Sequence, residues 1–198
     1  MPHIDYYFAT ISPYTYLSGT RPGDVATRNG TTITYKPLDI MALFARAGGT
    51  PPKDRHPNRV EYRLQDMVRR AKILDKPLNP KPMFWPTNGA PSAYAIIAAQ
   101  NAGHDVAELV ATIGRAIWAE ERDISQDDVV RDCLEKCGLD PALADADMLT
   151  SADTYARNLE DAVSAGAFGA PFMITDDGQR FWGEERIDDL DAYLSGKL

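Results

Sequence analysis

The first stretch of this chain whose residue types suggest chemistry is "ATISPYTYLSG", Ala9 to Gly19, where the run Tyr6, Tyr7, Phe8 gives way to a serine followed directly by a proline. Serine at an N-cap with proline at the first helical position is among the commonest openings of any helix. The same place suits an anion, because the first N–H groups of a helix lack partners and its dipole favours negative charge. A cysteine there would be a low-pKa thiol. Ser12 cannot form a disulfide, but its hydroxyl can donate a hydrogen bond to a thiolate supplied from outside the chain.

Two further stretches carry candidates. In "GAFGAPFMI", Pro171 stands just before an apolar run. It fits a strand's first position, a turn, or a cis peptide. A cis bond would turn the N–H and C=O of Ala170 towards a ligand, where an extended peptide can pair as an added strand. In "FWGEERIDDL", Gly183 precedes Glu184 and Glu185 at the start of the last helix. Carboxylates there complement the helix dipole. An exposed carboxylate beside free N–H groups also suits a zwitterionic amino-acid terminus, the acid taking the ammonium and the N–H groups the carboxylate.

The remaining polar and aromatic groups are less specific. "PPKDRHPNR" gathers Lys53, Arg55 and Arg59 in a loop, either a solvated surface or a seat for an anionic substrate. Trp85 in "MFWPTN" either walls an aromatic pocket or belongs to the core. His3, His56 and His104 adjoin no nucleophile motif, which argues against a Ser-His-Asp triad. Cys133 and Cys137 share one apolar helical face with Val129, Val130 and Leu134. With no histidine or third cysteine nearby they read as small buried hydrophobes, and no metal site is expected.

The elements that must position these residues follow from pattern. Residues 3–9 and Thr31–Leu38 read as strands, rich in β-branched and aromatic side chains. Between them lies a helix of about 15 residues that Pro22 and Gly23 should kink or break, a βαβ unit with parallel strands. From Asp39 to about Gly166 the pattern is helical. "APSAYAIIAAQNAG" is apolar almost all round and stops at Gly103. One later helix is capped by Ser125 and ended by Gly138, and another is capped by Thr150 or Ser151 and stopped by Gly166. The stretch Pro77 to Pro91 reads as a long ordered loop or an active-site wall. Asp177-Gly178 marks a hairpin, and the final helix has Ile187, Leu190, Tyr193 and Leu194 on one face.

Composition sets the outer limits. The 198 residues, 44% hydrophobic, suffice for one good core. A net charge of −8 without lysine or arginine runs argues against nucleic-acid binding. No apolar stretch approaches the roughly 18 residues of a membrane span, and the amino terminus lacks a signal-peptide pattern. A soluble cytoplasmic protein is the expectation.

The order βαβ, helical block, ββα fits an α/β thioredoxin-like domain, residues 1–40 plus 164–198, opened after its second strand by an all-helical insertion, residues 41–163, and taken alone it also fits other α/β arrangements. A redox member of that fold has Cys-x-x-Cys where this chain has Ser12-Pro13-Tyr14-Thr15, so a disulfide oxidoreductase is disfavoured. With "SPYTYL", "FWPTNGAPSAYAIIAAQ", "IWAEERDIS", "GAFGAPFMI" and "FWGEERIDDL" in this order, the chain resembles the 2-hydroxychromene-2-carboxylate isomerases. These are relatives of kappa-class glutathione transferases in the DsbA-like branch of thioredoxin folds.

The resemblance implies glutathione as cofactor, a small aromatic carboxylate as substrate, and a homodimer. Ser12 would hydrogen-bond the glutathione sulfur, Ala170 and cis-Pro171 would hold its cysteinyl backbone, and Gly183, Glu184 and Glu185 would receive its γ-glutamyl end. Thr50, Arg59 and Trp85 fall to the substrate. Where relatives often carry an asparagine before Pro-Pro, this chain has "GGTPP", so Gly49 or Thr50 stands there. Phe172, after the proline, is like the isomerases rather than the threonine common in kappa-class transferases. The implied reaction is reversible thiolate addition, rotation about the bond made single, and elimination. The alternatives are a kappa-class-like transferase, which releases a conjugate, and a glutathione-binding module without turnover.

Overall fold

The computed structural model describes residues 2–198. β1 (His3–Phe8) sends apolar side chains to both faces, Ile4, Tyr6 and Phe8 to one and Tyr7 to the other, because both faces of the sheet are covered. Ile4, Tyr6 and Phe8 enter one core with Met173 and Tyr35, while Tyr7 enters another with Phe172 and Leu38. β2 (Thr32–Pro37) lies parallel to β1, and β3 (Phe172–Thr175) and β4 (Arg180–Trp182) continue antiparallel on the other side, giving the order β2-β1-β3-β4. Register places Tyr7 opposite Phe172 and Phe172 opposite Trp182, so one aromatic row crosses the sheet.

The expected 15-residue helix is indeed broken, but at Gly19 rather than at Pro22. α1 (Pro13–Ser18) stops where Gly19 takes φ +56° and donates its N–H to the carbonyls of Thr15 and Tyr16. α2 (Arg21–Arg28) then opens with Pro22 in its first turn, where a missing N–H costs nothing.

The helical block comprises α3 (Ile40–Ala47), α4 (Pro57–Ile73), α5 (Ala90–Asn101), α6 (Ala107–Trp118), α7 (Asp127–Lys136) and α8 (Met148–Ser164). α5, α6 and α7 pack with α1, α2 and the last helix, α9 (Ile187–Leu194), on the Tyr6 face of the sheet; α3 and α8 cover the Tyr7 face. α5 is buried on several sides, as its apolar composition predicts.

Three helix starts differ from expectation. α4 begins at Pro57, so Arg59 stands in a helix's first turn and not in a loop; His56 is the N-cap, its Nδ1 accepting from the Asn58 N–H at 3.2 Å. α7 is capped by Gln126 and not Ser125, whose N–H is taken by the Asp123 carboxylate. α8 begins at Met148 after Asp147 in a left-handed conformation, which leaves Thr150 and Ser151 inside the helix rather than at its cap. Among the described residues no helix is long and apolar enough to cross a membrane.

Candidate active site at the end of the first strand

Ser12 ends the connection from β1 and caps α1, 7% exposed. Its Oγ accepts from the Thr15 N–H at 3.4 Å, and among the described residues its own proton is donated to nothing. The chain turns into this position because the Ser12 N–H returns to the Ala9 carbonyl at 3.0 Å. Trp85 is tied to the same turn, its Nε1 donating to the Ile11 carbonyl at 3.0 Å. The Pro77–Pro91 stretch, with a cis Trp85–Pro86 bond, is therefore a wall beside Ser12.

The Ala170–Pro171 bond is cis. Ala170 precedes β3, outside the strand ladder, and among the described residues its N–H and C=O take no partner. The Pro171 carbonyl accepts from the Gly183 N–H at 3.0 Å, which brings the second and third candidate stretches side by side. Gly183, at φ +107°, turns the chain into a 3₁₀ turn over Glu184–Arg186, and Glu185 is left partly exposed over it.

Glu184 corrects the expectation of an exposed carboxylate. Its side chain is fully buried, paired with Arg21 at 3.0 Å and with the Arg70 guanidinium. A carboxylate inside protein is stable only when so compensated. Of the pair, Glu185 alone, partly exposed and with Arg186 Nε no nearer than 4.0 Å, is open to meet an ammonium group.

A cavity of about 170 Å³ joins Ser12, Ala170, Arg59 and Trp85. Thr50 does not line it; its carbonyl accepts from Arg55 Nε at 2.8 Å instead. Gly49 has no room for a side chain either, since a Cβ there would come within 2.2 Å of the Phe44 ring. Neither Gly49 nor Thr50 thus presents a side chain to the cavity, and Arg55, lying over Phe44 at 5.6 Å, reaches it instead.

Tyr14, Arg63 and Trp182 also line the cavity and were not singled out from sequence. Tyr14 lies within the "SPYT" stretch itself. Its hydroxyl donates to Asp66 at 2.9 Å, and burial together with that carboxylate pushes its pKa upward, so it stays protonated. Arg63 lies one helical turn after Arg59, a spacing readable once α4 is known to begin at Pro57.

Of the chain's own thiols, Cys133 lies on α7 and Cys137 at its C-cap, both away from this cavity. Burial pushes the Cys133 thiol up to about 11 and raises that of Cys137 as well. At pH 8 only about one Cys133 in a thousand is thiolate. Labelling of the native protein by a disulfide reagent should be slow at pH 8, climb with pH towards about 11, and become fast on unfolding; prompt labelling at pH 8 would contradict this burial.

A side chain at position 183 meets two obstacles. The Cβ of Gly183→Ala would fall within 2.5–2.7 Å of the Glu185 carboxylate oxygens, and φ +107° is strained for alanine. Glu185 can swing away but the backbone strain, about 1–3 kcal/mol, remains. Gly183→Ala should melt about 2–10 °C lower and bind glutathione more weakly. An unchanged melting temperature would refute the strain.

The family model for the DSBA-like thioredoxin domain matches residues 3–195. A 2-hydroxychromene-2-carboxylate isomerase of Sphingobium xenophagum is 34% identical over 96% of this chain and 97% of its own length. Glutathione S-transferase kappa 1 of Caenorhabditis elegans is 28% identical over 94% of this chain and 88% of its own. A solved structure of a 2-hydroxychromene-2-carboxylate isomerase shares the fold at a TM-score of 0.77 and 21% identity, covering 98% of this chain and 95% of that one.

Proposed function

The chain belongs to the DSBA-like thioredoxin domain family and, within it, to the 2-hydroxychromene-2-carboxylate isomerases, and from that premise we propose that it is a glutathione-dependent isomerase of a 2-hydroxychromene-2-carboxylate-like intermediate of aromatic degradation. The observation that carries the reading is one cavity joining an undonated serine hydroxyl and an unpartnered peptide at Ala170, with no cysteine at Ser12 or Thr15.

The residues fit glutathione. Ser12 has a free proton for a thiolate, the Ala170 N–H and C=O suit an added extended peptide, and Glu185 beside the N–H groups of the 183–186 turn suits a γ-glutamyl terminus. Bound glutathione supplies a thiolate that adds reversibly to a conjugated carbon, so that the bond turns while it is single. Ser12 keeps that sulfur ionised and aimed. Trp85 and Arg59 wall and attract the aromatic carboxylate, and Ile11, Phe44 and Met41 keep water from the cavity. The homodimer and cytoplasmic location implied by the resemblance belong to the same proposal.

The test is turnover of 2-hydroxychromene-2-carboxylate with glutathione, followed by mass spectrometry. A product isomeric with the substrate and unconsumed glutathione is expected. An adduct carrying the mass of both would make the chain a transferase, the reading favoured by its kappa-class relative. Tight binding of glutathione without turnover would make it a binding module.

A further inference from the structure

Arg55, Arg59 and Arg63 have no carboxylate within 4.0 Å among the described residues, whereas every other arginine except Arg180 does. This is unusual in a chain of net charge −8. The nearby Asp66 is occupied by Tyr14 and Arg69. Two of the three guanidinium groups are held in fixed poses without being neutralised. Arg55 is fixed by the Thr50 carbonyl and the Phe44 ring, and Arg63 lies over Trp85 at 5.3 Å. Burial lowers the pKa of both, and so does neighbouring like charge, from Arg59 on Arg55 and from Arg55 on Arg63. Partly buried like charges without a counterion lower their energy by receiving an anion.

Both arginines also line a second, larger cavity of about 650 Å³, walled by Val60, Leu64, Pro80, Pro82, Trp85 and Pro86. That volume and apolar lining suit a flat ring. It meets the Ser12 cavity at Met41, Pro52, Arg55, Arg63 and Trp85, so a molecule seated in it would present its charged end where the two arginines stand.

We propose that Arg55 and Arg63 form a two-arginine seat for the carboxylate of a planar conjugated acid whose ring lies in the proline-walled pocket, with Arg63 the residue that selects the charged substrate. The seat rests on the isomerase reading for the identity of its occupant, and it assigns to α4 a specificity role beyond that of Arg59. Arg63 is well suited because its planar fork can take both carboxylate oxygens while its face stays on Trp85.

The experiment titrates cinnamate and methyl cinnamate, a planar acid and its neutral ester, into the protein by NMR, with glutathione as a separate titrant. Wild type should bind the acid about 10- to 100-fold more tightly than the ester, the span of a lost hydrogen-bonded charge pair. Arg63→Gln should remove most of that preference, Arg55 and Arg59 keeping the remainder, while leaving ester and glutathione affinities within about twofold, and Arg63→Lys, which keeps the charge but loses the fork, should lose less of it. Acid and ester bound alike by wild type would overturn the seat. So would an Arg63→Gln loss that falls on glutathione, or that strikes acid and ester equally at an unchanged melting temperature. Binding here needs no turnover. A protein that prefers the acid but isomerises nothing keeps the seat and sinks the isomerase, and one that turns over without the preference does the reverse.

Discussion

Ser12→Ala is expected to slow turnover by about 10- to 150-fold, the worth of one hydrogen bond to a charged group at about 1.5–3 kcal/mol. By the same linkage it should raise the pKa of bound glutathione by about 1–2 pH units, because only the ionised sulfur gains from the donor. The sign is fixed: the mutant should need a higher pH to reach the same thiolate fraction. Ultraviolet thiolate absorbance of the bound tripeptide, titrated against pH, measures this directly. A midpoint identical in mutant and wild type would remove Ser12 from the chemistry. The structure separates this effect from folding. The Thr15 N–H reaches Oγ at 3.4 Å, a long contact, so the cap is worth little. A loss near the low end for caps, about 0.5 kcal/mol, is expected.

That distinction was hidden in the sequence, where Ser12-Pro13 on its own reads first as a cap and only second as a site. What was legible there is local grammar. The aromatic run Tyr6-Tyr7-Phe8 announces the first strand, Asp177-Gly178 announces the β3–β4 hairpin, and Pro171 before an apolar run flags the Ala170 peptide. What was not legible depends on backbone conformation or on distant partners. α8 starts three residues before Ser151 because Asp147 adopts φ +49°, which no side-chain pattern encodes. The row of arginines beside the cavity became visible only when His56 and Pro57 were seen to open α4, which puts Arg59 and Arg63 one turn apart.

The same limit explains Glu184. Next to Glu185 it looks like half of a solvated acidic pair at a helix start. Its partners Arg21 and Arg70 lie 163 and 114 residues away in sequence, so nothing local distinguishes the two glutamates. The fold buries one and exposes the other, and the two then do different work. Glu184 fixes the turn from inside, and Glu185 is the exposed carboxylate proposed to meet a γ-glutamyl ammonium group.

Glu184→Gln is accordingly expected to be the most destabilising single change at this site. It keeps the side chain's size but removes the charge that Arg21 and Arg70 share. Breaking a buried ion pair from one side costs about 3–5 kcal/mol, because the remaining cations stay desolvated. For a chain of this size that is a melting temperature lower by on the order of 10 °C. Arg21 keeps a second partner in Asp188 at 3.0 Å, so the larger share of the loss belongs to Arg70. Glu184→Leu combined with Arg70→Leu should therefore recover much of the stability that Glu184→Leu alone loses, since neither residual charge is then stranded. Function should follow the same strap. Arg70 lies on α4, so the Glu184 pair ties the 183–186 turn to the helix that carries Arg59 and Arg63. When it is cut, both the 183–186 turn, proposed to receive the γ-glutamyl end, and the cationic wall of α4 lose a fixed position. Glu184→Gln should therefore weaken glutathione and aromatic acid binding together, measured well below its melting temperature. Melting within a degree or two of wild type would show that Arg21 and Arg70 do not depend on the charge buried between them, and would refute the strap.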